Sequence, residues 1–366
     1  MLLFIIQPIL ASYRRSMFDE LTESFDEVLV FANTKPGNGF NVSTLGKFNV
    51  LHTNTVRFGS VLYYQCGIIL EFLKRKPNAV FMTADFRAVN FWLLLLIAYC
   101  YSIPVFSHGQ GVYDKPHTPL KWLYRILFSF VARLSSKYIC YTESVRHSLL
   151  RLGISAESLA VVQNTLVNNV PVMPALRVQS GNAVSGLFFV GRLREDCCLE
   201  LLFDAMLILK KQGYYLALDV VGDGDLKSLL KQQAKKLEID VKFHGAIYSD
   251  QKVSDISTKC VLGVYPGDAG LSVVHYMSLS LVPVIHSCAA EHMGPEASYI
   301  IENENGLLFE RNNSHSLAAA IARALSNSEH TALLSERAFL TYTNLSDPSM
   351  GAQLHQIMSP FLRRSL

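Results

Sequence analysis

The sequence predicts an α/β protein of two domains, each a parallel sheet covered by helices on both faces. Three observations carry this expectation. The chain has 366 residues, too many for one compact core at about 150 residues per domain. Short apolar runs alternate with helix-like segments along the whole length, the rhythm of strands joined by helical crossovers. That rhythm lapses in a stretch rich in Pro, Asn and Ser and restarts at Gly186.

In the first half, strands are expected at Leu2 to Ile6, Glu27 to Phe31, Asn49 to Thr53, Ala79 to Thr83, Pro104 to Ser107 and Tyr138 to Tyr141. A parallel strand covered on both faces can be apolar almost throughout. Asp85 to Tyr101 reads as a buried helix, because its apolar positions run around most of the circumference. The helix Leu120 to Lys137 instead gathers Trp122, Leu123, Ile126, Leu127, Phe130 and Val131 on one face, flanked by Lys121, Arg125, Arg133 and Lys137. Such a helix suits a core-facing position with a solvated basic side. It equally suits an anionic membrane surface, to which Lys74, Arg75 and Lys76 would add.

Asn164 to Ser185 carries Pro171, Pro174 and Gly181 with no helical period. It places a linker at 169–185 between a first domain, 1–168, and a second, 186–350. The second-half strands are expected at Gly186 to Val190, Leu216 to Val221, Val241 to His244, Val261 to Tyr265, Val282 to His286 and Gly306 to Phe309. Helices Ser314 to Leu325 and Ser335 to Leu340 follow. The last helix, Gly351 to Phe361, comes after a break containing Pro348 and is expected, within 351–366, to pack back on the first domain.

Composition narrows the function classes. Hydrophobic residues make up 50% and charged residues only 17%, which excludes wholesale disorder. Lys and Arg total 33 against 30 Asp and Glu, a net charge of +3, so nucleic acid is not an expected partner. The seven cysteines show no paired spacing typical of zinc sites or disulfide frameworks, which fits a reducing, cytoplasmic setting. The opening MLLFIIQPIL has no basic segment before it and reads as a strand; the apolar run Phe91 to Phe106 is too short to span a bilayer and is broken by Pro104.

Four segments could carry chemistry. Tyr265-Pro266-Gly267-Asp268-Ala269-Gly270-Leu271-Ser272 leads from a strand into a helix expected over Leu271 to Leu279. Backbone N–H groups in such a loop suit an anion, diphosphate above all, although an ordinary strand-to-helix turn uses the same residues. Gly191-Arg192-Leu193-Arg194 follows a strand, at the sheet edge where α/β proteins bind ligands. A guanidinium there can clamp phosphate oxygens or form a salt bridge between domains. His108-Gly109-Gln110-Gly111 sits at the corresponding edge of the first sheet, where histidine suits a sugar hydroxyl or a bond to nearby backbone. Tyr13 and Arg14 lie in the loop after the first strand, as exposed solvating groups or as contacts. By contrast, Asp223-Gly224-Asp225 is explained as a turn rather than a metal pair, and Lys227 stands where a dinucleotide fingerprint needs its third glycine.

In order along the chain, FFVGRL, the helix Leu199 to Lys210, LDVVGDGD, FHGAI, YPGDAGLSVVHYM, PVIHS and NGLLF resemble the nucleotide-binding half of a family 4 glycosyltransferase of GT-B fold. QPILASYRR, FSHGQG, CYTESVR and QNTLVN resemble the other half more loosely. The resemblance implies two Rossmann-like domains facing a cleft and transfer of a sugar from a nucleotide diphosphate donor with retention and without a metal or other cofactor. It implies Arg192 and Gly191 at the diphosphate, Gly267, Asp268, Gly270, Leu271 and Ser272 around the donor, with Gly245 and Arg194 contributing. His108 falls near the transferred sugar, and Tyr13 and Arg14 on the acceptor side.

The sequence departs from the family where two glutamates are usual: Gly267 and His275 stand there. Cys197 replaces a phosphate-binding lysine and Leu281 a glycine. The PG-x-x-GL-x-x-x-H arrangement resembles a variant branch acting on bacterial surface polysaccharide, in which His275 would take over a ribose or phosphate contact, while Arg194 would supply the lysine's charge. The expected function is a retaining transferase acting on a glycan or lipid-linked glycan of O-antigen or capsule, in the cytoplasm or peripherally on the inner face of the plasma membrane. Its rivals are a catalytically silent nucleotide-sugar-binding homologue that supports a partner transferase and a nucleotide-sugar epimerase.

Overall fold

The structure, a computed structural model, describes residues 1–34, 46–111, 121–174 and 186–362. It divides into two compact units, Met1–Asn164 with Pro348–Leu366, and Thr165–Asp347.

The first unit is built on β1 (Leu2–Ile9), β2 (Glu27–Asn33), β3 (Asn49–His52), β6 (Ala79–Thr83), β7 (Val105–Gly109), β8 (Lys137–Cys140) and β9 (Leu159–Val161). They form a parallel seven-stranded sheet in the order β3-β2-β1-β6-β7-β8-β9. The alternation of side chains along β1 splits its apolar residues between two cores. Phe4 and Ile6 join the layer beneath α2 (Ile68–Arg75), α3 (Val89–Cys100), α4 (Lys121–Leu134) and α5 (Glu143–Arg151), whereas Leu3 and Ile5 join the layer beneath α1 (Arg15–Leu21) and α12 (Met350–Met358). The last helix thus returns to the first unit. Ser349 caps it by accepting from the Ala352 N–H at 3.2 Å, and it buries Met350, Leu354 and Met358.

Three elements of this unit differ from expectation, the first being the edge strand β9, only three residues long and not expected from the sequence. A short antiparallel hairpin, β4 (Thr55–Phe58) and β5 (Leu62–Gln65), precedes α2 where no strand is legible, since Gly59-Ser60 interrupts an apolar stretch too short to show a period. The helix after β6 is not wholly buried. Phe91, Leu94, Leu95 and Ala98 of α3 face the core while Leu93, Leu96 and Tyr99 lie exposed, so its uniform hydrophobicity conceals two unlike faces.

The second unit carries a parallel six-stranded sheet in the order β12-β11-β10-β13-β14-β15. Its strands are β10 (Gly186–Val190), β11 (Ala217–Val221), β12 (Asp240–Gly245), β13 (Cys260–Tyr265), β14 (Val282–His286) and β15 (Leu307–Phe309). The helices are α6 (Leu199–Lys211), α7 (Lys227–Lys236), α8 (Asp250–Ser257), α9 (Ser272–Ser278), α10 (Ser314–Ser326) and α11 (Ser328–Ser346). Strands this apolar are expected where helices cover both faces, and residues such as Leu187, Phe188 and Phe189 are all buried.

The expected linker begins as packed structure. The Asn168 side-chain amide donates to Ser278 Oγ at 2.9 Å, the Asn168 N–H donates to Tyr342 Oη at 3.1 Å, and the Val172 N–H donates to Ser278 O at 3.1 Å. Residues 165–174 therefore belong to the second unit rather than to a free connector. The rest of the expected linker, 175–185, lies outside the described residues, as do 363–366 at the end of the expected last helix.

Candidate functional sites at the two sheet edges

Each sheet reverses its strand order beside a central strand, and side chains at the carboxyl ends there have no neighbouring crossover above them. In the first unit that place is β1, between β2 and β6; in the second it is β10, between β11 and β13. The residues singled out from the sequence fall largely at these two edges.

In the first unit, His108 is the penultimate residue of β7 and is 2% exposed. Its ring stacks on Phe81 with centroids 4.3 Å apart. Gln7 Nε2 lies 2.8 Å from His108 Nε2, and an amide NH2 has only hydrogens to offer, so this orientation makes Nε2 the acceptor and puts the ring proton on Nδ1. Thr83 Oγ1, 3.1 Å from the same nitrogen, donates to Gln7 Oε1 at 3.0 Å. Nδ1 is buried with no partner among the described residues. Burial drives the ring's pKa well below the usual histidine value and the Arg14 charge adds to this, so the imidazole stays neutral. The result is a fixed, neutral N–H donor awaiting an oxygen.

Arg14, in the turn after β1, is not a solvating group but buried. Its guanidinium donates to Asn164 Oδ1 at 2.6 Å, contacts Met350 Sδ at 3.0 Å and lies 5.3 and 5.1 Å from the ring centroids of Tyr13 and Tyr141. Its protein contacts make it a brace between the β1 loop, the β9 end and α12. Tyr13 stands exposed beside it.

In the second unit, the loops after β10, β11, β12 and β13 lie side by side. Gly222 donates its N–H to Gly245 O at 2.8 Å, and a Cβ on it would lie 1.8 Å from Gly191 O, so only glycine permits this approach at its φ of +151°. Gly191 in turn lies against the Tyr265 ring, which stacks on Phe189 at 5.0 Å. Arg192, half-buried at the carboxyl end of β10, is close enough to help stabilise ionised Tyr265, although burial dominates and raises that phenol's pKa. Asp223 is held by Lys227 at 2.7 Å and by the Gly224 N–H at 2.9 Å, the geometry of a turn. No cluster of three or more His, Cys, Asp or Glu suited to a metal occurs among the described residues.

The loop after β13 divides in two. The N–H groups of Gly267 and Asp268 are spent on Cys197 O at 3.1 Å and Asp196 O at 2.9 Å, and the Ala269 N–H donates to His292 Nδ1 at 3.1 Å. The N–H groups of Gly270, Leu271 and Ser272 have no acceptor among the described residues. The donor cradle expected over the whole loop therefore narrows to its last three amides. Ser272 Oγ donates to Val190 O at 2.9 Å, fastening the start of α9 to the end of β10 and so to Gly191 and Arg192.

Two other expected contributors, Asp268 and Arg194, are committed elsewhere. Asp268 Oδ1 accepts from Arg311 at 2.9 Å and lies 3.3 Å from His286 Nε2. Arg194 lies 2.6 Å from Asp196 and 2.8 Å from Met293 Sδ, so its charge is already opposed. Cys197 is completely buried in the core, and burial raises its thiol to about 11. His275 lies within α9, where burial lowers it to about 4 despite the opposing Asp250 charge.

Contacts between distant residues supply what sequence reading missed. His286 and His292 stack at 3.7 Å, and Nε2 of His292 donates to His286 O at 2.9 Å. This layer, with Arg311, backs the loop after β13. A buried carboxylate, Glu296, lies 3.9 Å from where a Gly270 Cβ would be. PVIHS and the run after NGLLF point to the strand ends beside them, but nothing local announces these pairings.

Residues 184–340 match the family model described as glycosyl transferases, group 1. No curated protein matches the chain. Among solved structures, Anabaena Alr3699/HepE in complex with UDP and glucose is similar with a TM-score of 0.69 and 16% identity, covering 98% of this chain and 100% of that one. Sucrose-phosphate synthase from Thermosynechococcus elongatus gives 0.68 and 15%, covering 98% of each chain. The lipopolysaccharide outer core galactosyltransferase WaaB gives 0.66 and 14%, covering 98% of this chain and 99% of that one. The two-unit architecture is that of the GT-B fold, and the match to the group 1 glycosyl transferase model falls within the second unit.

Proposed function

We propose that the protein is a retaining glycosyltransferase that moves a sugar from a nucleoside diphosphate donor to a glycan or lipid-linked glycan acceptor of a bacterial surface polysaccharide, O-antigen or capsule. The observation that carries this reading is the joining of Arg192 and three amides with no acceptor among the described residues, Gly270 to Ser272, by the Ser272 to Val190 hydrogen bond at the strand-order reversal of the second sheet. The cation and N–H donors are suited to two phosphate groups, and charge growing on a departing diphosphate is stabilised most by donors already fixed in place.

In this reading no metal takes part, and Asp223 remains a turn residue held by Lys227. His108 in the first unit offers Nδ1–H to a hydroxyl of the transferred sugar. Its neutrality suits that role, because it donates without adding charge. HepE binds UDP and glucose, which makes UDP-glucose the first donor to assay.

Arg192→Ala is expected to lower turnover on the order of 10²-fold or more, corresponding to about 3 kcal/mol of transition-state stabilisation, with the fold intact by circular dichroism. Near-normal turnover overturns the assignment. Gly267 and Cys197 favour a second reading, a nucleotide-sugar-binding homologue without activity, since neither position supplies the side chain usual in the resembled family. Purified protein that binds UDP-glucose saturably yet releases no UDP with any acceptor establishes that reading instead.

A further inference from the structure

More than half of the large hydrophobic side chains that stand exposed among the described residues lie on the β4–β5 hairpin and on α2, α3 and α4 or beside them, all in the first unit. Phe58 and Val61 flank the hairpin tip and are 54% and 62% exposed; Leu93 and Leu96 occupy the outer side of α3; Trp122 and Phe130 lie two turns apart along α4, with Trp122 61% exposed. The inner sides of these helices pack on one core, so the outer sides share one face. The hairpin is tied to that face, because the Tyr63 N–H donates to Arg87 O at 3.0 Å and the Gln65 N–H to Asn90 Oδ1 at 3.1 Å at the start of α3.

Its charge has one sign. From Thr55 to Leu70, along α3, and along α4 there is no Asp or Glu. Glu71 is paired with Arg75 and Asp85 with Arg87. Arg57, Lys74, Lys76, Arg125 and Arg133 form no ion pair among the described residues, and Lys76 Nζ lies 5.7 Å from the Tyr101 ring centroid. Exposed apolar side chains concentrated in this way on neighbouring elements mark a binding face rather than ordinary surface. A rim of cations with no ion-pair partner among the described residues, with Trp and Tyr among the apolar side chains, matches an anionic bilayer, where aromatic rings settle at headgroup depth.

We propose that this face docks on anionic phospholipid, with the hairpin tip and the outer sides of α3 and α4 entering the headgroup layer. The proposal goes beyond sugar transfer and is tested without any donor. The chain has two tryptophans, Trp92 and Trp122, so Trp92→Phe leaves Trp122 as the sole reporter. With the full chain carrying that substitution, vesicles of phosphatidylcholine plus phosphatidylglycerol are expected to blue-shift the emission, brominated acyl chains to quench it, and the protein to sediment with them.

Phosphatidylcholine alone, or high salt, is expected to weaken sedimentation about tenfold or more. So is the pair F58S and V61S, at an unchanged unfolding temperature. Absence of a blue shift with the anionic vesicles overturns the proposal. So does sedimentation indifferent both to F58S with V61S and to R125E with R133E. A blue shift that instead follows protein concentration without lipid assigns the face to a second copy of the chain and also overturns it. None of these results bears on UDP release, so the failure of either reading is recognised separately.

Discussion

Cys197 stands where a lysine is usual in the resembled family, but its side chain lies in the core and its carbonyl receives the Gly267 N–H. Cys197→Lys is therefore expected to lower stability by about 3 kcal/mol or more, the consequence of burying an unpaired cation, rather than to add a phosphate contact; a denaturant midpoint decides. Gly267 behaves alike. A Cβ there would lie 2.0 Å from Asp196 O, so Gly267→Glu displaces the 195–198 turn and is expected to cost on the order of 2 kcal/mol and to weaken UDP binding, measurable by calorimetric titration.

Titration offers a third test at this scale. Burial lowers both His275 and His292 to about 4 from an ordinary value of 6.5. The unfolded chain then binds more protons, so stability is complete above pH 6.5 and declines as pH falls toward 4, by up to about 3 kcal/mol for each group. Unfolding midpoints across that interval measure the slope, which His292→Asn should flatten. A sequence reveals strand-end residues such as Gly191, Arg192 and His108 because position along an apolar run implies position at a sheet edge. It does not reveal that Asp268 meets Arg311, 43 positions away, nor that Asp268 and Arg194 are already occupied.

Among the elements, the parallel strands other than the three-residue β9 were legible because burial on both faces leaves an apolar run that needs no context. Helix α3 was legible as a helix but not in its orientation, since twelve residues without a formal charge give no polar side to read. The hairpin escaped because its strands have four residues each. The return of the last helix was readable from the break containing Pro348, and in the structure it buries Met350, Leu354 and Met358. Ending the chain after Asp347 removes these three buried side chains from a layer that includes Met17 and Phe18. At about 1.5 to 3 kcal/mol each, the loss is expected to be about 5 kcal/mol or more, enough to unfold the first unit. Fluorescence of Trp92 and Trp122, both in that unit, follows the effect.

At the scale of the whole molecule, the same two tryptophans make the units separately observable, because the second unit has none. Calorimetry sees both units, fluorescence only the first. UDP at about a hundred times its dissociation constant should stabilise the unit that binds it by about 2.7 kcal/mol, raising a calorimetric transition that carries no tryptophan signal. An equal rise in the fluorescence transition would instead place nucleotide on the first unit or show that both unfold together.

Met350 to Met358 completes a layer begun by Leu3 and Ile5, so the chain encloses one unit between the two parts of the other. During synthesis the earlier sequence does not finish first. Residues 165–347 leave the ribosome as a closed set, whereas the amino-terminal sheet must wait, one side covered only in part by α1, for the last helix to emerge. For that interval Phe18 and Met17, buried in the finished unit, are expected to stay partly open to solvent and to chaperones.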